Sequence, residues 1–384
     1  MGRGATLHEK LSPTVLLALM TCAGFSAALA LLPLAGPPDG DFALFLIPWM
    51  DVIRERGFAS ISGEFSAYPP PYIYMLNAAS LLEPIFGTVV AVKLINIPFV
   101  VATALGIGAL VTEATGNQDK GRLATAVSFV IPTLLVNAFA FGQADVIFTS
   151  FLIGFVLFAM RGKSHSAALM FGLALSFKLQ AMFLSPLLLY LLLSKQMRVR
   201  HLLLIPLTYA VMMVPAALAG RPWAELLSVY VGQAGLMSDL SLNAPNPWWF
   251  LRSIDYRAGV IAGLVAGGLA GAAIVAVSFR TKGQILLVAT LCAAVMPYVL
   301  PKMTSRYFFI ADMLVIALAF TLPRAWPAAV LIQIGSLVAC LSYFSLLASA
   351  APALIPMTLG IAVLIYCFFG EIHRPPTGAP VRRT

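Results

Sequence analysis

Long apolar runs constrain the fold of this chain more than any other feature of its sequence. A transmembrane helix needs about 20 predominantly apolar residues. Ten clear windows of this kind lie at 13–35, 89–111, 121–141, 144–160, 201–219, 258–279, 283–300, 306–322, 326–348 and 351–370. Only 10% of the 384 residues are charged, whereas a soluble domain has about 25%. The chain is therefore predicted to be an all-α polytopic membrane protein.

The apolar stretch 165–195 is longer than one helix and has Lys178 near its middle. A charge at bilayer depth is costly, so we expect two short segments that meet at Lys178. Together with the ten windows they predict about twelve transmembrane helices. The chain would then be one membrane domain, 1–384. Its predicted parts are an N-terminal module at 1–219 that contains a first outer loop at 36–88, a second outer loop at 220–257, C-terminal helices at 258–370 and a cytoplasmic tail at 371–384.

Basic residues predict the orientation of the chain in the membrane. Lys and Arg number 24 against 15 Asp and Glu, and cytoplasmic loops collect Lys and Arg. A cytoplasmic N-terminus, followed by a retained first helix, places most inter-span basic residues on the cytoplasmic side. They are Lys120, Arg122, Arg161, Lys163, Lys195, Arg198, Arg200, Arg280, Lys282 and Arg324, with Arg374, Arg382 and Arg383 in the tail. The positive charge therefore indicates membrane orientation rather than nucleic-acid binding.

Charged residues on the outer side, or at bilayer depth, are candidates for function because they are costly there. Lys302 and Arg306 stand four residues apart at the outer mouth of the window 306–322, so a helix would point both the same way. Such a pair suits a phosphate, with interfacial snorkelling as the alternative. Lys178 has no partner nearby in the sequence, which makes snorkelling a weaker explanation for it.

Three acids and one proline-rich stretch are further candidates for function. Asp41 precedes a segment with apolar residues at helical spacing, and it could cap that interfacial helix or act as a general base. Asp145 could cap the fourth span, and Asp312, about two turns inside its window, needs a partner or a water-filled cavity. The stretch 67–72 contains three consecutive prolines and is predicted to be stiff and extended.

The cysteines and histidines of the chain predict neither a disulfide framework nor a metal site. The four cysteines all lie inside apolar runs without paired spacing, which is typical of small buried residues. The four histidines lie in polar flanks without the spacing of metal ligands.

Three separated blocks of residues resemble one enzyme family. The first comprises Gly40-Asp41-Phe42, Trp49-Met50-Asp51-Val52-Ile53 and Tyr68-Pro69-Pro70. It is similar in order and spacing to the first lumenal loop of the endoplasmic-reticulum glucosyltransferases that use dolichyl-phosphate glucose to extend the N-glycan lipid precursor. The other two blocks, which resemble the His-Phe-Gln-Tyr-Asn and Tyr-Lys-Gln-Met stretches of those enzymes, are Phe141-Gly142-Gln143-Ala144-Asp145 and Phe177-Lys178-Leu179-Gln180. The similarity covers roughly residues 36–195.

This resemblance implies a glycosyltransferase of the C-type fold that takes its sugar from a polyprenyl-phosphate donor on the non-cytoplasmic side. It makes 1–219 the catalytic module, Asp41 the catalytic base and Lys178 part of the donor site. The chain is shorter than the eukaryotic enzymes and has no Asn-x-Ser/Thr sequon. We therefore expect a bacterial inner-membrane relative, a mannosyltransferase or glucosyltransferase of cell-envelope glycan biosynthesis, whereas a eukaryotic relative would lie in the endoplasmic reticulum.

The chemistry of such a transfer needs one base and a few cations. A lipid phosphate is already a good leaving group, so it requires cationic stabilisation rather than a general acid. Asp41 is expected to deprotonate an acceptor hydroxyl, which attacks the anomeric carbon with inversion. The other assignments are donor-phosphate binding by Lys178, Arg306 and Lys302, and sugar or acceptor binding by Tyr68, Gln143, Asp145, Trp49 and Glu64. The scheme requires no metal or other cofactor, and its partners are the donor, a glycan or lipid-linked acceptor and membrane lipids.

Two other classes of protein fit a polytopic chain of this kind. A transporter or flippase of a lipid-linked sugar often has about twelve spans, but typically shows internal repeats and a site at the midplane. A glycan ligase or polymerase would also need outer arginines and an acid. A non-catalytic scaffold would not need Lys178 at membrane depth. The residues alone leave the transporter and ligase interpretations open.

Overall fold

The computed structural model describes residues 13–235, 238–281 and 284–372. These residues fold mostly into helices. The first half of the chain forms α1 (Pro13–Leu31), α2 (Ile47–Arg56), α3 (Pro70–Ser80), α4 (Glu83–Phe86), α5 (Thr88–Leu94), α6 (Ile97–Thr115), α7 (Gln118–Ser128), α8 (Pro132–Leu135) and α9 (Asp145–Met160). The second half forms α10 (Ser164–Phe177), α11 (Ser185–Leu193), α12 (Leu204–Leu218), α13 (Trp223–Ala234), α14 (Tyr256–Thr281), α15 (Ile285–Val299), α16 (Phe309–Thr321), α17 (Trp326–Tyr343) and α18 (Leu354–Ile372).

Shorter elements connect these helices. Two π-helical segments occupy Phe42–Leu46 and Val136–Phe141. The 3₁₀ segments are Gly57–Ser62, Leu179–Leu184, Val199–Leu203, Pro247–Trp249, Ser305–Phe308, Pro323–Ala325 and Ala351–Ala353. Two short strands, β1 (Ser241–Leu242) and β2 (Met303–Thr304), pair in parallel. This small sheet joins the segment between α13 and α14 to the chain just before α16.

Six described helices are long and apolar enough to cross a membrane. They are Thr14–Leu31, Thr88–Thr115, Val199–Leu218, Tyr256–Phe279, Pro323–Tyr343 and Ala351–Gly370. A seventh span results if Gln118–Ser128 and Pro132–Phe141, bent by 52°, count as one. The prediction of a polytopic all-α membrane protein is confirmed.

The predicted count of about twelve spans is not confirmed by helix length. The backbone leaves the helical conformation at Ile131 and at Lys178, although apolar composition continues across both positions. Apolar windows therefore overestimate the length of continuous helices. The described residues contain four shorter apolar helices, Asp145–Met160, Ser164–Phe177, Leu179–Leu193 and Ile285–Val299. The predicted meeting of two short segments at Lys178 is confirmed.

The core of the molecule is built around α16. Every residue from Phe309 to Ala319 is buried, and α16 packs against α6, α7, α9, α15 and α17. At the periphery, only 11% of Thr14–Leu31 and 17% of Val199–Leu218 is buried. Helices that expose so many apolar side chains face lipid in a membrane protein.

Three local predictions need correction, and a fourth concerns residues outside the described ranges. The stretch 67–72 is extended only as far as Pro69, because α3 begins at Pro70 and proline is well tolerated in a first helical turn. Lys302 and Arg306 do not share a helix, since Lys302 has a left-handed backbone, with φ 63°, and β2 separates the two. Asp312 lies in the first turn of α16 rather than two turns inside a span. The predicted tail lies outside the described residues beyond position 372.

Candidate active site

A cavity of about 640 Å³ opens where the segments 36–88 and 220–257 meet the ends of the core helices. Six of the residues singled out from the sequence line it: Asp41, Trp49, Tyr68, Gln143, Lys302 and Arg306. The other lining residues are Phe45, Ala67, Leu179, Gln180, Gln233, Asp239, Ser241, Leu242, Asn243, Arg252, Pro301, Met303, Thr304, Tyr307 and Tyr343. The volume is in the range of natural ligand sites.

Two acids and two bases form a continuous charge network at one wall of this cavity. The guanidinium of Arg306 donates to the carboxylate of Asp41. Arg306 Nη1 also lies 3.5 Å from Asp145 Oδ2, and Lys178 Nζ lies 2.5 Å from Asp145 Oδ1. The side chains of Asp145 and Lys178 are 0% and 2% exposed, whereas that of Asp41 is 24% exposed. Asp41 is thus the member of the network that reaches the cavity most openly.

The network assembles four distant parts of the chain. Asp41 precedes the first π-helical segment, and Asp145 is the first residue of α9. Lys178 has extended backbone angles, φ −154° and ψ 136°, and separates α10 from the next 3₁₀ segment. Arg306 lies in the 3₁₀ turn before α16. Neither acid makes a side-chain cap to its helix, so the capping alternatives do not account for them.

Aromatic rings surround the two cations of the network. Lys178 Nζ lies 5.3 Å from the ring centre of Tyr68, 5.8 Å from that of Phe148 and 5.7 Å from that of Tyr307. The guanidinium of Arg306 lies 5.4 Å from the ring of Phe141. Such rings attract cations through their negative faces and exclude water from them. Ion pairs in this setting are therefore stronger than on a solvated surface.

Tyr68 and Trp49 form an aromatic wall next to the network. Their ring centroids are 5.3 Å apart, and the Tyr68 hydroxyl donates to Gln143 Oε1 at 2.8 Å. Burial raises the pKa of the Tyr68 phenol well above its usual value, so the hydroxyl stays protonated and remains a donor at neutral pH. This wall offers flat apolar faces beside polar groups, an arrangement that suits a sugar ring.

The position of Asp41 depends on a residue that no local sequence pattern marks. The backbone N–H of Asp41 donates to the hydroxyl of Tyr343 at 2.7 Å. A Cβ at Gly40 would lie 2.6 Å from that hydroxyl, so this approach requires glycine. Tyr343 ends α17 and packs on Phe141 with ring centroids 4.5 Å apart. It therefore couples Asp41 to the Phe141–Asp145 block.

Lys93 lies beside the residue that follows Asp41, with its Nζ 5.7 Å from the ring centre of Phe42. Its Nζ donates to the carbonyls of Leu31 and Leu32 at 3.3 and 3.1 Å, which satisfies acceptors at the end of α1. Its stem also lies against Gly142, where an added Cβ would be 2.8 Å from Lys93 Cγ. Gly142 has a φ of 64°, which glycine adopts freely.

A second pair of basic residues lines the cavity outside the charge network. The guanidinium of Arg252 stacks on Trp249, with Cζ 3.5 Å from the ring centre, and donates to the Ser241 carbonyl at 3.3 Å. Lys302 Nζ donates to the Tyr256 hydroxyl at 2.7 Å. We call Arg252 and Lys302 the basic pair.

Three of the candidate acids do not line the cavity. Asp145 is buried behind it in the charge network. Glu64 is exposed and lies outside the cavity lining. Asp312 is buried, and its Oδ1 accepts a hydrogen bond of 2.7 Å from Ser336 Oγ. Across the described part of the chain, no three His, Cys, Asp or Glu side chains cluster closely enough to hold a metal ion.

The comparison with protein families assigns the chain to a class. The model of glycosyltransferase family 87 matches residues 65–301, more than half of the 384 residues. The chain belongs to glycosyltransferase family 87. A search of curated proteins found no match. Together with the apolar helices, family membership identifies a membrane glycosyltransferase, which needs a sugar donor and an acceptor.

The matched range contains much of this transferase's candidate site. Tyr68, Gln143, Asp145 and Lys178 lie inside the range, whereas Asp41 and Arg306 lie on either side of it. The expectation of a glycosyltransferase is confirmed at the level of the class.

Tyr68→Phe is expected to lower kcat/KM about tenfold. The change removes the hydroxyl and leaves the buried Gln143 Oε1 without its donor, a loss of about 1–3 kcal/mol. The measurement is steady-state transfer by the purified family 87 transferase. Tyr72→Phe is the matched control, because the buried Tyr72 hydroxyl has no hydrogen-bond partner among the described residues and Tyr72 does not line the cavity. An equal decrease of kcat/KM in both variants would show that the Tyr68 hydroxyl has no specific role in transfer.

Proposed function

We propose that this family 87 transferase moves a hexose, mannose or glucose, from a polyprenyl-phosphate donor to a glycan or lipid-linked acceptor, with inversion. The observation that carries this proposal is the Asp41 carboxylate, which reaches the cavity while Arg306 and Tyr343 fix its orientation. A carboxylate held in this way suits the general base of a displacement reaction.

The surroundings of the cavity support a lipid-linked donor. Leu179 lines the cavity and is also 39% exposed, and Met182, in the same 3₁₀ segment, is 41% exposed. These two apolar side chains offer the polyprenyl chain a route from the cavity to the bilayer. Trp49, Tyr68 and Gln143 would hold the sugar, and the cationic side chains of the cavity would hold its phosphate.

The proposed reaction exchanges one bond at the anomeric carbon. Asp41 accepts the proton of the acceptor hydroxyl, and the oxygen attacks the anomeric carbon from the face opposite the phosphate. The bond from that carbon to the phosphate oxygen breaks, and the polyprenyl phosphate leaves with the electron pair. Negative charge grows on the phosphate in the transition state, where fixed cations lower the barrier most.

The placement of α9 supports a site on the non-cytoplasmic side. Asp145 begins α9 at the cavity, and Arg161 follows its last residue. The 16 residues of α9 span about 24 Å, at about 1.5 Å per residue. Arg161 pairs with Glu113 near the end of α6 at 2.8 Å, so the basic loop after α9 and the start of α7, with Lys120 and Arg122, share one face. That face would be cytoplasmic by the positive-inside rule, and the cavity lies at the opposite end of α9.

The proposal also covers the number of membrane crossings and the fold class. The four shorter apolar helices and the buried α16 would complete about twelve crossings, in the C-type glycosyltransferase fold. A deeply buried helix of 13 residues such as α16 can cross within protein where the surrounding helices satisfy its ends. The host membrane would be a bacterial plasma membrane, with the reaction in cell-envelope glycan assembly.

A donor panel tests the proposed function. Purified protein in nanodiscs is incubated with membrane lipid extract as acceptor source and with labelled sugars on either polyprenyl phosphate or nucleotide diphosphates. We expect transfer from one polyprenyl-phosphate hexose, with release of polyprenyl phosphate, and none from the nucleotide sugars. Transfer from a nucleotide sugar alone would contradict the proposed donor class.

A further inference from the structure

The basic side chains at the cavity form two groups, one paired with acids in the charge network and one outside it. The charge network contains Asp41, Asp145, Lys178 and Arg306, so its formal charges cancel. The basic pair, Arg252 and Lys302, lies outside that network. The cavity also contains the exposed acid Asp239, whose negative charge acts on Arg252. Outside the charge network, two basic side chains and one acid therefore line the cavity.

Arg252 is held ready for a ligand. Its guanidinium rests on the indole of Trp249, and one nitrogen donates to the Ser241 carbonyl. It forms no ion pair with any carboxylate in the part of the chain that the structure describes. A stacked guanidinium has fewer conformations to lose when it binds, and its remaining N–H groups match a phosphate.

The small sheet fixes Lys302 relative to Arg252. Ser241, which accepts the hydrogen bond from Arg252, pairs with Met303 in the β1–β2 sheet. The Lys302 backbone N–H donates to the Leu240 carbonyl at 2.7 Å. Both Lys302 and Asn243 have left-handed backbones, with φ of 63° and 60°. Strained backbone of this kind persists where surrounding contacts enforce it, and it is frequent at functional sites.

The geometry of inversion separates the base from the leaving group. In an in-line displacement the attacking oxygen and the departing phosphate lie on opposite sides of the anomeric carbon. Arg306 is in contact with the carboxylate of Asp41, the proposed base, so it is on the attacking side. A cation held there cannot also bind the departing phosphate across the sugar ring.

We infer that the basic pair binds the donor phosphate and that Arg306 orients the base. This inference rests on the proposed function, and it adds Arg252 to the donor site. It also moves Arg306 and Lys178 from direct phosphate contact to the support of Asp41 and Asp145. The cavity then holds the sugar between the charge network and the basic pair.

Binding measurements test the inference without requiring turnover. Wild type, Arg252→Gln and Arg257→Gln are placed in phosphatidylcholine nanodiscs and titrated with polyprenyl phosphate and with uncharged polyprenol by native mass spectrometry. Arg257 is the matched control, because it is an exposed arginine only five residues after Arg252 and does not line the cavity. It lies in the first turn of α14. We expect Arg252→Gln to bind polyprenyl phosphate about ten- to a hundredfold more weakly. Polyprenol binding should be unchanged, and Arg257→Gln should behave as wild type.

Each other result has a defined meaning. If wild type binds polyprenyl phosphate no better than polyprenol, the proposed donor class fails, whatever the position of the subsite. If wild type prefers the phosphate and Arg252→Gln keeps that preference, the basic pair is not the subsite. An accompanying Arg306→Gln variant should still bind polyprenyl phosphate better than polyprenol. If this variant alone loses that preference, Arg306 and not the basic pair binds the phosphate. Equal thermal unfolding of Arg252→Gln and Arg257→Gln excludes a folding defect as the cause.

Discussion

Asp41→Asn is expected to lower kcat about a thousandfold, with donor binding retained. The amide matches the carboxylate in size but cannot take the proton of an acceptor hydroxyl, and removal of a general base costs about 10²–10⁴ in rate. The backbone N–H of residue 41 can still donate to Tyr343, so the segment keeps its anchor. The measurement compares transfer and polyprenyl-phosphate binding in the same nanodisc preparations.

Asp51→Asn is the matched control for this variant. Asp51 lies ten residues further along, is about half exposed and pairs with Arg54 at 2.7 Å on the surface. Exposed pairs of this kind contribute little to stability. We expect kcat within about twofold of wild type for this variant. Persistent transfer by a well-folded Asp41→Asn protein would remove Asp41 as the base and direct attention to Asp145, the other carboxylate beside Arg306.

The sequence predicted those site residues that interrupt or adjoin a regular pattern of apolar residues. Lys178 stands out because a charge breaks an apolar run, and the structure places the break between helices at that residue. Asp41 precedes apolar residues at helical spacing, and the following segment is helical with Trp49, Met50 and Ile53 buried. Such signals arise from the cost of burying charge and from helical periodicity, which act within a few turns.

Contacts between distant segments could not be predicted in the same way. Arg306 and Asp41 are 265 residues apart, and Tyr343 and Asp41 are 302 apart. Nothing in either neighbourhood indicates the partner, because packing of the whole helical assembly sets these distances. The helical spacing of Lys302 and Arg306 was misleading for a similar reason. The pairing of β2 with β1 overrides the local preference and turns Lys302 into a left-handed conformation.

Lys178→Met is expected to destabilise the protein by about 3–5 kcal/mol. Methionine keeps the length and apolar contacts of the lysine stem, but it leaves the fully buried Asp145 carboxylate with only Arg306, 3.5 Å away. Breaking one side of a buried pair costs this much because the remaining charge stays unsolvated. The measurement is thermal unfolding of the purified protein in detergent. Lys163→Met, at an exposed lysine in the short loop before α10, should unfold as wild type.

The double variant Lys178→Met with Asp145→Asn separates a structural role of Lys178 from direct contact with substrate. Without the buried carboxylate there is no unpaired charge, so the double variant should unfold at a higher temperature than Lys178→Met alone. The resemblance to the dolichyl-phosphate-glucose enzymes implies instead that Lys178 belongs to the donor site. In that case Lys178→Met would keep wild-type stability and lose donor binding. The 2.5 Å contact with Asp145 and the 2% exposure of Lys178 favour the first outcome, in which Lys178 supports Asp145 and thereby the Arg306–Asp41 pair.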